Sequence, residues 1–305
     1  MKILHKGILA LLFVVLQSAL VTIALDVGGT NIGAVPFLLY SNFVGVIVMF
    51  FVMYWQDRCN EFFSLFRKPG RLIAIFVIGI LISVVAEVLL VIGTVQTNAS
   101  ISGIVYRMYP LIIVVLTPLF LRHRITAKQL IGLLFGFASA YVILSNGTIV
   151  SLNVSEIFAL LMLVCSAIVT AVTTLLIKKY NIGAAVFMEV SALAAVAFFT
   201  PAAIFLHTPI PTSLSTGTLL SILFIGAVDF GIGGALFYYS YKLFNTTMAG
   251  IASLATPFLT VILAFILIGT QVQPYYFIAT ILLATGMIIQ GKDLVSAPEY
   301  ITKQR

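Results

Sequence analysis

The sequence predicts an all-α polytopic membrane protein, with ten transmembrane helices in two inverted five-helix repeats and both termini on the cytoplasmic side. The prediction rests on composition, on the spacing of apolar segments and on an internal repeat. Of the 305 residues, 62% are hydrophobic and only 8% are charged, and the mean hydropathy is +1.20. A soluble domain carries about 25% charged residues. This chain therefore has too few polar groups to cover a surface that faces water.

Ten apolar segments each approach the length of about 20 residues that a helix needs to cross the hydrocarbon core. Turn-forming sequences separate them, including DVGGTNIG after the first segment and HTPIPTS after the seventh. The first segment is longer than the apolar region of a signal peptide, so we expect it to be retained as a helix. The predicted spans cover roughly residues 7–25, 34–55, 71–93, 98–121, 127–145, 155–177, 184–206, 216–240, 247–268 and 274–291.

Basic residues give the predicted orientation, because Lys and Arg concentrate in cytoplasmic loops. With the N-terminus inside, every one of the 16 Lys and Arg residues except Arg107 lies on the inner side. We therefore expect a multi-pass protein of the cytoplasmic membrane with both termini in the cytoplasm. The longest inner loop spans 55–71, and we expect its FFSLF stretch to lie along the membrane surface. The positive charges form no basic arm, so no nucleic-acid partner is predicted.

The motif Asn-x4-Gly-x6-Pro occurs twice, beginning at Asn98 and again at Asn245, 147 residues later. This offset predicts two units, residues 1–149 and 150–305. Because each unit has five spans, the second enters the membrane from the opposite side. Small residues allow helices to pack closely, and proline interrupts a helix. The residues to which we assign these packing and kink roles are Gly103, Pro110, Gly250 and Pro257.

Charged residues inside the predicted spans are candidates for a binding site, because each costs roughly 2.5–3.5 kcal/mol in a bilayer. Arg107 has no counterpart in the second unit, where Leu254 takes its place. Glu87 lies at a similar depth in the third span, so we expect the two to pair. Two interpretations stay open. The pair either pins the hairpin between the spans or lines a central cavity, with Arg107 binding a carboxylate or phosphate and Glu87 acting as counter-ion or proton acceptor.

Other polar residues lie deep in the predicted spans. Asp229, in the middle of the eighth span, is a candidate for binding a substrate amine or a coupling proton. Glu189 lies near the inner end of the seventh span, and we expect it to extend its carboxylate to the membrane surface. Two tyrosines lie too deep for the interfacial aromatic belt. The predicted substrate-binding residues are Arg107, Glu87, Tyr106, Tyr109, Asp229 and Gln17.

No pattern in the sequence indicates catalysis. It contains no HExxH motif, no nucleophile paired with a base and no glycine-rich phosphate loop. Cys59 and Cys165 are far apart, so neither a disulfide nor a metal site is predicted. We expect no enzymatic activity and no cofactor.

Segments 91–143 and 241–289, which include TNASISGIVYRMYP and FNTTMAGIASLATP, resemble the EamA branch of the drug/metabolite transporter superfamily. The resemblance covers nearly the whole chain and implies alternating access, with substrates that range from amino acids and sugars to drugs. Members of the family typically carry a Gly-Glu step after the fourth helix of each half. Here that step reads ArgHisArg at 122–124 and GlyThrGln at 269–271. No role is therefore transferred to those positions.

The sequence thus predicts a secondary active transporter for a small polar organic metabolite, with an amino acid or an organic acid favoured. Its partners would be that substrate and the lipid bilayer, while proton coupling, transport direction and oligomeric state stay open. One alternative is an exporter of hydrophobic or cationic compounds that uses Glu87 and Asp229 as binding charges. Another is a membrane scaffold or sensor that transports nothing, which the short loops disfavour.

Overall fold

The computed structural model describes residues 2–121, 126–145, 154–180, 183–208, 213–233 and 246–295. Within these residues all regular secondary structure is helical. The α-helices are α1 (Lys2–Ile32), α2 (Ala34–Trp55), α3 (Cys59–Leu65), α4 (Pro69–Ile80), α5 (Glu87–Gln96), α6 (Ala99–Val105), α7 (Tyr109–Leu121), α8 (Ala127–Leu144), α9 (Val154–Lys179), α10 (Ala184–Phe205), α11 (Thr216–Leu223), α12 (Thr246–Ile268) and α13 (Pro274–Val295).

Seven stretches of the described chain are helical, long and apolar enough to cross a membrane. They are Phe13–Ile32, Ala34–Trp55, Pro69–Gln96, Ala99–Thr117, Glu156–Ile177, Ala185–Phe205 and Thr216–Gly233. Shorter apolar helical stretches cover Leu130–Ile143, Thr256–Ile268 and Pro274–Ile289. The chain is therefore an all-helical, multi-pass membrane protein. Ten crossings and cytoplasmic termini stay predictions, and the predicted boundary at residue 150 lies outside the described residues.

The first helix is longer than we predicted. We placed a turn at 26–33, but α1 continues through most of that stretch. The chain turns only at Gly33, whose φ of 81° lies in the left-handed region. Gly28 and Gly29 stay helical, and a Cβ on either residue would collide with a neighbouring side chain. These two glycines therefore permit close helix packing rather than ending the helix.

The two halves of the chain interlock through equivalent contacts. Helix α2 packs against α10, and α8 packs against α13; each pair joins corresponding helices of the two halves. A Cβ on Gly79 would lie 2.8 Å from Cα of Ser191, and a Cβ on Gly226 would lie 2.6 Å from Cβ of Val44. Gly79 and Gly226 are 147 residues apart, and so are Val44 and Ser191. The internal repeat therefore extends to the tertiary contacts between the halves.

Three spans change helix type, and each change coincides with a charged residue. A π-helical segment, Leu81–Ala86, ends directly before Glu87. A second π-helical segment, Phe224–Gly233, contains Asp229. A 3₁₀ turn, Tyr106–Met108, contains Arg107. π-helical turns inside α-helices are frequent at functional sites. Shifted by 147 residues, the first π-helical segment falls inside the second, so this feature is shared by both halves.

Pro110 explains the 3₁₀ turn in the fourth span. Proline has no N–H, so it cannot donate the α-helical bond to the carbonyl of Tyr106, four residues earlier. The N–H of Tyr109 donates to that carbonyl instead, which closes a tighter turn. In the second half, Gly250 and Pro257 both lie in α12, which is assigned as α-helix throughout. The 3₁₀ turn therefore occurs in the half that contains Arg107, and it is not found in α12, where Leu254 takes the equivalent position.

A candidate binding site among the buried charges

Arg107 lies inside the protein, with 8% of its surface exposed. Its Nη2 donates a hydrogen bond of 2.7 Å to the carbonyl oxygen of Ser18 in α1. The guanidinium carbon lies 5.9 Å from the ring centroid of Tyr106, within the range of a cation–π contact. Its Nε is buried and has no hydrogen-bond partner among the described residues. Leaving such a donor unpaired costs about 1–3 kcal/mol.

Asp229 is also held from the first helix. Nε2 of Gln17 donates a hydrogen bond of 2.5 Å to Oδ1 of Asp229, and Gln17 is 6% exposed. Asp229 and Arg107 lie within the range of charge–charge attraction. Because Gln17 and Ser18 are adjacent, one turn of α1 contacts both an acidic and a basic residue of the cluster.

The predicted ion pair between Glu87 and Arg107 is wrong. Among the described residues, the only ion pair within 4.0 Å joins Arg58 and Glu61, in the loop after the second span. Arg107 is directed toward α1, and Glu87 interacts electrostatically with Asp229 and Tyr106. Sequence distance from the hairpin gives the depth of each residue in its span. It does not give the direction of the side chain around the helix axis, which decides the partner.

Tyr106 and Tyr109 lie next to the charges. Their ring centroids are 5.4 Å apart, and the hydroxyls of Tyr106 and Thr170, in α9, are hydrogen-bonded at 3.3 Å. Both tyrosines are only partly buried, as are Glu87 and Asp229. Tyr106, Glu87 and Asp229 interact with one another or with Arg107, so the tyrosines and the charged groups form one connected set.

The structure therefore brings all six predicted binding residues into one polar cluster, drawn from the first, third, fourth and eighth spans. Its members are Gln17, Glu87, Tyr106, Arg107, Tyr109 and Asp229. Gly103 lies one turn before Arg107 and has a packing role. A Cβ there would lie 2.5 Å from Cγ2 of Thr260 in α12.

The expectation that Glu189 reaches the membrane surface is wrong. Glu189 is 3% exposed, and its Oε2 is buried without a partner among the described residues. Its neighbours Val186, Phe187 and Val190 are also buried, because α10 packs against α2 and α4. Glu189 therefore faces other helices rather than the lipid.

Asp26, in the stretch predicted as a turn, was not among the predicted site residues. The Oδ2 of Asp26 accepts a hydrogen bond of 3.0 Å from the backbone N–H of Ala99, at the start of α6. The adjacent Asn98 caps the same helix, accepting from the N–H of Ile101 at 2.9 Å, and donates to the hydroxyl of Tyr276 in α13 at 3.3 Å. The sequence held one indication of this contact. Asp26 and Asn98 were both predicted at the outer membrane surface, so they could have been expected to lie at the same depth.

The sequence profile of the EamA-like transporter family matches the chain twice, at residues 5–145 and 154–290. No curated protein sequence matches the chain. A crystal structure of another protein superposes with a TM-score of 0.69, covering 97% of this chain and 99% of its own, at 16% sequence identity. At that identity the likeness shows the fold alone. Because the two profile matches together cover most of the chain, the protein belongs to the EamA-like transporter family, within the drug/metabolite transporter superfamily.

Proposed function

We propose that the protein is a secondary active transporter of a small polar organic metabolite, with an amino acid or an organic acid as the favoured substrate. The observation that carries this proposal is the buried Nε of Arg107, which has no partner among the described residues, near the carboxyl group of Asp229. A guanidinium presents its N–H groups in a planar fork that matches a carboxylate. The bond to Ser18 fixes the plane of that fork before a substrate arrives.

The remaining members of the cluster would bind the other end of the substrate. Asp229 and Glu87 would accept hydrogen bonds from a substrate ammonium group, and Tyr106 and Tyr109 would contact its carbon skeleton. Gln17 would hold Asp229 in place, since it already donates to that carboxyl group. With both carboxyls ionised, the three charges sum to −1. A substrate ammonium or a coupling proton would balance that charge.

Transport would proceed by alternating access across the cytoplasmic membrane. Glu87 and Arg107 belong to the first half of the chain and Asp229 to the second, so movement of one half against the other would open the cluster to either side. Sites between inverted repeats, near the membrane midplane, are common in secondary transporters. The mechanism assumes ten crossings with both termini in the cytoplasm.

A second candidate function is export of hydrophobic or cationic compounds. Two carboxyl groups, Glu87 and Asp229, outnumber the single guanidinium, and two tyrosine rings lie beside them. Aromatic faces and acidic groups together bind organic cations.

Counterflow in proteoliposomes tests both candidates. Purified protein would be reconstituted and supplied with labelled amino acids, organic acids or an organic cation, and exchange would be measured. For the favoured function, Arg107→Leu should reduce exchange of a carboxylate substrate at least about tenfold, since hydrogen bonds to charged groups contribute about 1.5–3 kcal/mol. Lys128→Gln, which removes a positive charge from an exposed position in α8, is the control and should leave exchange unchanged.

The outcomes separate the candidates. Equal exchange by wild type and Arg107→Leu would refute the role of Arg107. Exchange of the cation alone, lost in Asp229→Asn and kept in Arg107→Leu, would favour the export function. Absence of flux for every compound would favour a scaffold or sensor.

A further inference from the structure

Glu189 is a buried acidic residue that the polar cluster does not use. Its side chain, in α10, is 3% exposed, and its Oε2 has no hydrogen-bond partner among the described residues. No charged group of that part of the chain interacts with it electrostatically. A carboxylate buried without a partner is costly, and such a group usually takes up a proton instead. The packing around Glu189 therefore suits a neutral carboxyl group better than a carboxylate.

Glu189 lies at a contact between the two halves of the chain. Helix α10 belongs to the second half and packs against α2 and α4 of the first. Ser191, two residues further along α10, is in tight contact with α4, since a Cβ on Gly79 would lie 2.8 Å from its Cα. Met49 of α2 and Phe187 of α10 belong to one buried apolar cluster, so the contact is largely apolar. The carboxyl group can thus reach water only when α10 moves away from the first half.

The elements packed against α10 leave the carboxyl group of Glu189 unpaired. The π-helical segment Leu81–Ala86 has no residue that titrates. None of the described side chains lies within hydrogen-bond distance of Oε2. The groups that titrate on the other packed elements, and in the loop that meets the start of α10, are Tyr40 and Tyr54 on α2, Arg71 on α4, Asp229 in Phe224–Gly233, and Arg58, Glu61 and Lys68 in the loop.

The first half has a neutral residue at the equivalent position. Asn42, in α2, precedes Glu189 by 147 residues and is fully buried. Its Nδ2 donates a hydrogen bond of 2.8 Å to the carbonyl oxygen of Leu38, and its Oδ1 has no partner in the described part of the chain. The fold therefore accepts an uncharged polar group at this place, and only the second half carries one that can ionise.

We propose that Glu189 is a proton-binding site, separate from the substrate cluster, that links protonation to the separation of the two halves. With the proton bound, α10 packs against the first half. Release of the proton leaves a carboxylate that must be hydrated, which favours the arrangement in which α10 has moved away. Proton binding and the closed contact therefore stabilise each other. The link to transport rests on the proposed function, in which the halves move against each other.

Thiol labelling of the full-length protein in nanodiscs tests the site without a substrate. In a chain without native cysteines, Ser191→Cys places a thiol in the contact, and its reaction with a water-soluble maleimide reports opening. The thiol ionises more as pH rises, but this effect is common to all variants and cancels in a ratio. From pH 6 to pH 8.5, we expect labelling with Glu189 present to rise at least about fivefold more than with Glu189→Gln, since such couplings are typically about 5–150-fold.

Two further variants control the labelling experiment. Asp57→Asn removes an acidic group from an exposed position in the loop after α2, and should behave as the wild type does. Glu189→Asp keeps a carboxyl group and should keep part of the rise. An equal rise with Glu189 and with Glu189→Gln would overturn the proposal. Fast labelling of Glu189→Gln at every pH would also overturn it, because Glu189 would then only fill space.

Counterflow in proteoliposomes, with the same pH on both sides, tests the link to transport. We expect exchange by the wild type to fall relative to Glu189→Gln as pH rises, because an ionised Glu189 slows the closing of the halves. Exchange with the same ratio at every pH would overturn the link and leave the proposed function intact. The expected labelling without any counterflow would instead refute the proposed function and support the proton site.

Discussion

Gln17 and Ser18, two consecutive residues of α1, contact the cluster in different ways. The side chain of Gln17 donates to Asp229, and the backbone carbonyl of Ser18 accepts from Arg107. Gln17 is almost fully buried, so its amide has no water to replace a lost partner. These contacts make α1 the element that sets the distance between the acidic and the basic group.

The role of Gln17 gives a prediction about coupling to Asp229. Gln17→Leu leaves the carboxyl group without its donor, and Asp229→Asn removes the charge. Residues that share one hydrogen bond typically show interaction energies of about 0.5–3 kcal/mol in a double-mutant cycle. We therefore expect Gln17→Leu to weaken substrate binding strongly in the wild type and little in the Asp229→Asn background, as measured by substrate-induced thermal shift.

The companion measurement is the melting temperature without substrate. If Gln17 only fills space, its substitution should lower stability by the same amount in both backgrounds and leave substrate affinity unchanged. Additive losses of affinity in the double variant would show that Gln17 contacts the substrate itself rather than positioning Asp229.

At the residue scale, all six members of the cluster could be selected from the sequence because a polar side chain in an apolar span is conspicuous. Arg107, Asp229 and Gln17 were all selected on that ground. The hydrogen-bond partners of these side chains could not be identified from the sequence. The acceptor on α1 for Arg107 is the backbone carbonyl of Ser18, and a carbonyl group is present at every position of the chain.

At the scale of single helices, close packing depends on residues without side chains. Gly103 meets Thr260 across the contact between the fourth span and α12. Thr260 keeps its own hydroxyl bonded to the carbonyl of Thr256 at 2.9 Å, and its methyl group, Cγ2, fills the space above Gly103. The fit leaves no room for one more methyl group.

This contact predicts that Gly103→Ala destabilises the protein, because overpacking costs about 1–3 kcal/mol. The matched control is Gly70→Ala, since a Cβ on Gly70 has no atom within 4 Å; we expect its melting temperature to stay equal or rise slightly. Thr260→Ser removes Cγ2, keeps the hydroxyl and should restore part of the stability of Gly103→Ala. Equal melting temperatures for Gly103→Ala and Gly70→Ala would contradict the packing role.

Helix boundaries were predicted least well where glycine occurs, because glycine can either turn the chain or allow two helices to pack closely. The sequence DVGGTNIG was interpreted as a turn, yet only Gly33 turns the chain, and the rest continues α1. The π-helical segments were not predicted at all. Their hydrogen-bond pattern depends on packing against other helices, and residues such as Ala86 and Gly233 have no distinctive local propensity for it. Ser166, in α9, donates to the carbonyl of Ala86 at 2.8 Å, which is a tertiary contact.

At the scale of the whole molecule, the duplication was the most predictable feature. One short motif gave the offset of 147 residues, the family profile matches the chain twice, and the interlocking glycine contacts repeat at the same offset. The motif could not show that each half packs its third span against the second span of the other half. That arrangement places Glu87 and Asp229, from different halves, within range of each other.

The orientation of the molecule in the membrane gives the last prediction. Cys59 lies in the basic loop after the second span, next to Arg58, so the positive-inside rule places it in the cytoplasm. In a Cys165→Ala variant, a maleimide that cannot cross membranes should label Cys59 in permeabilised cells and not in intact ones. Ser213 is exposed in the loop before α11, which the same topology places outside; Ser213→Cys, in a chain without native cysteines, should be labelled in intact cells. Labelling of Cys59 from outside would require the opposite orientation.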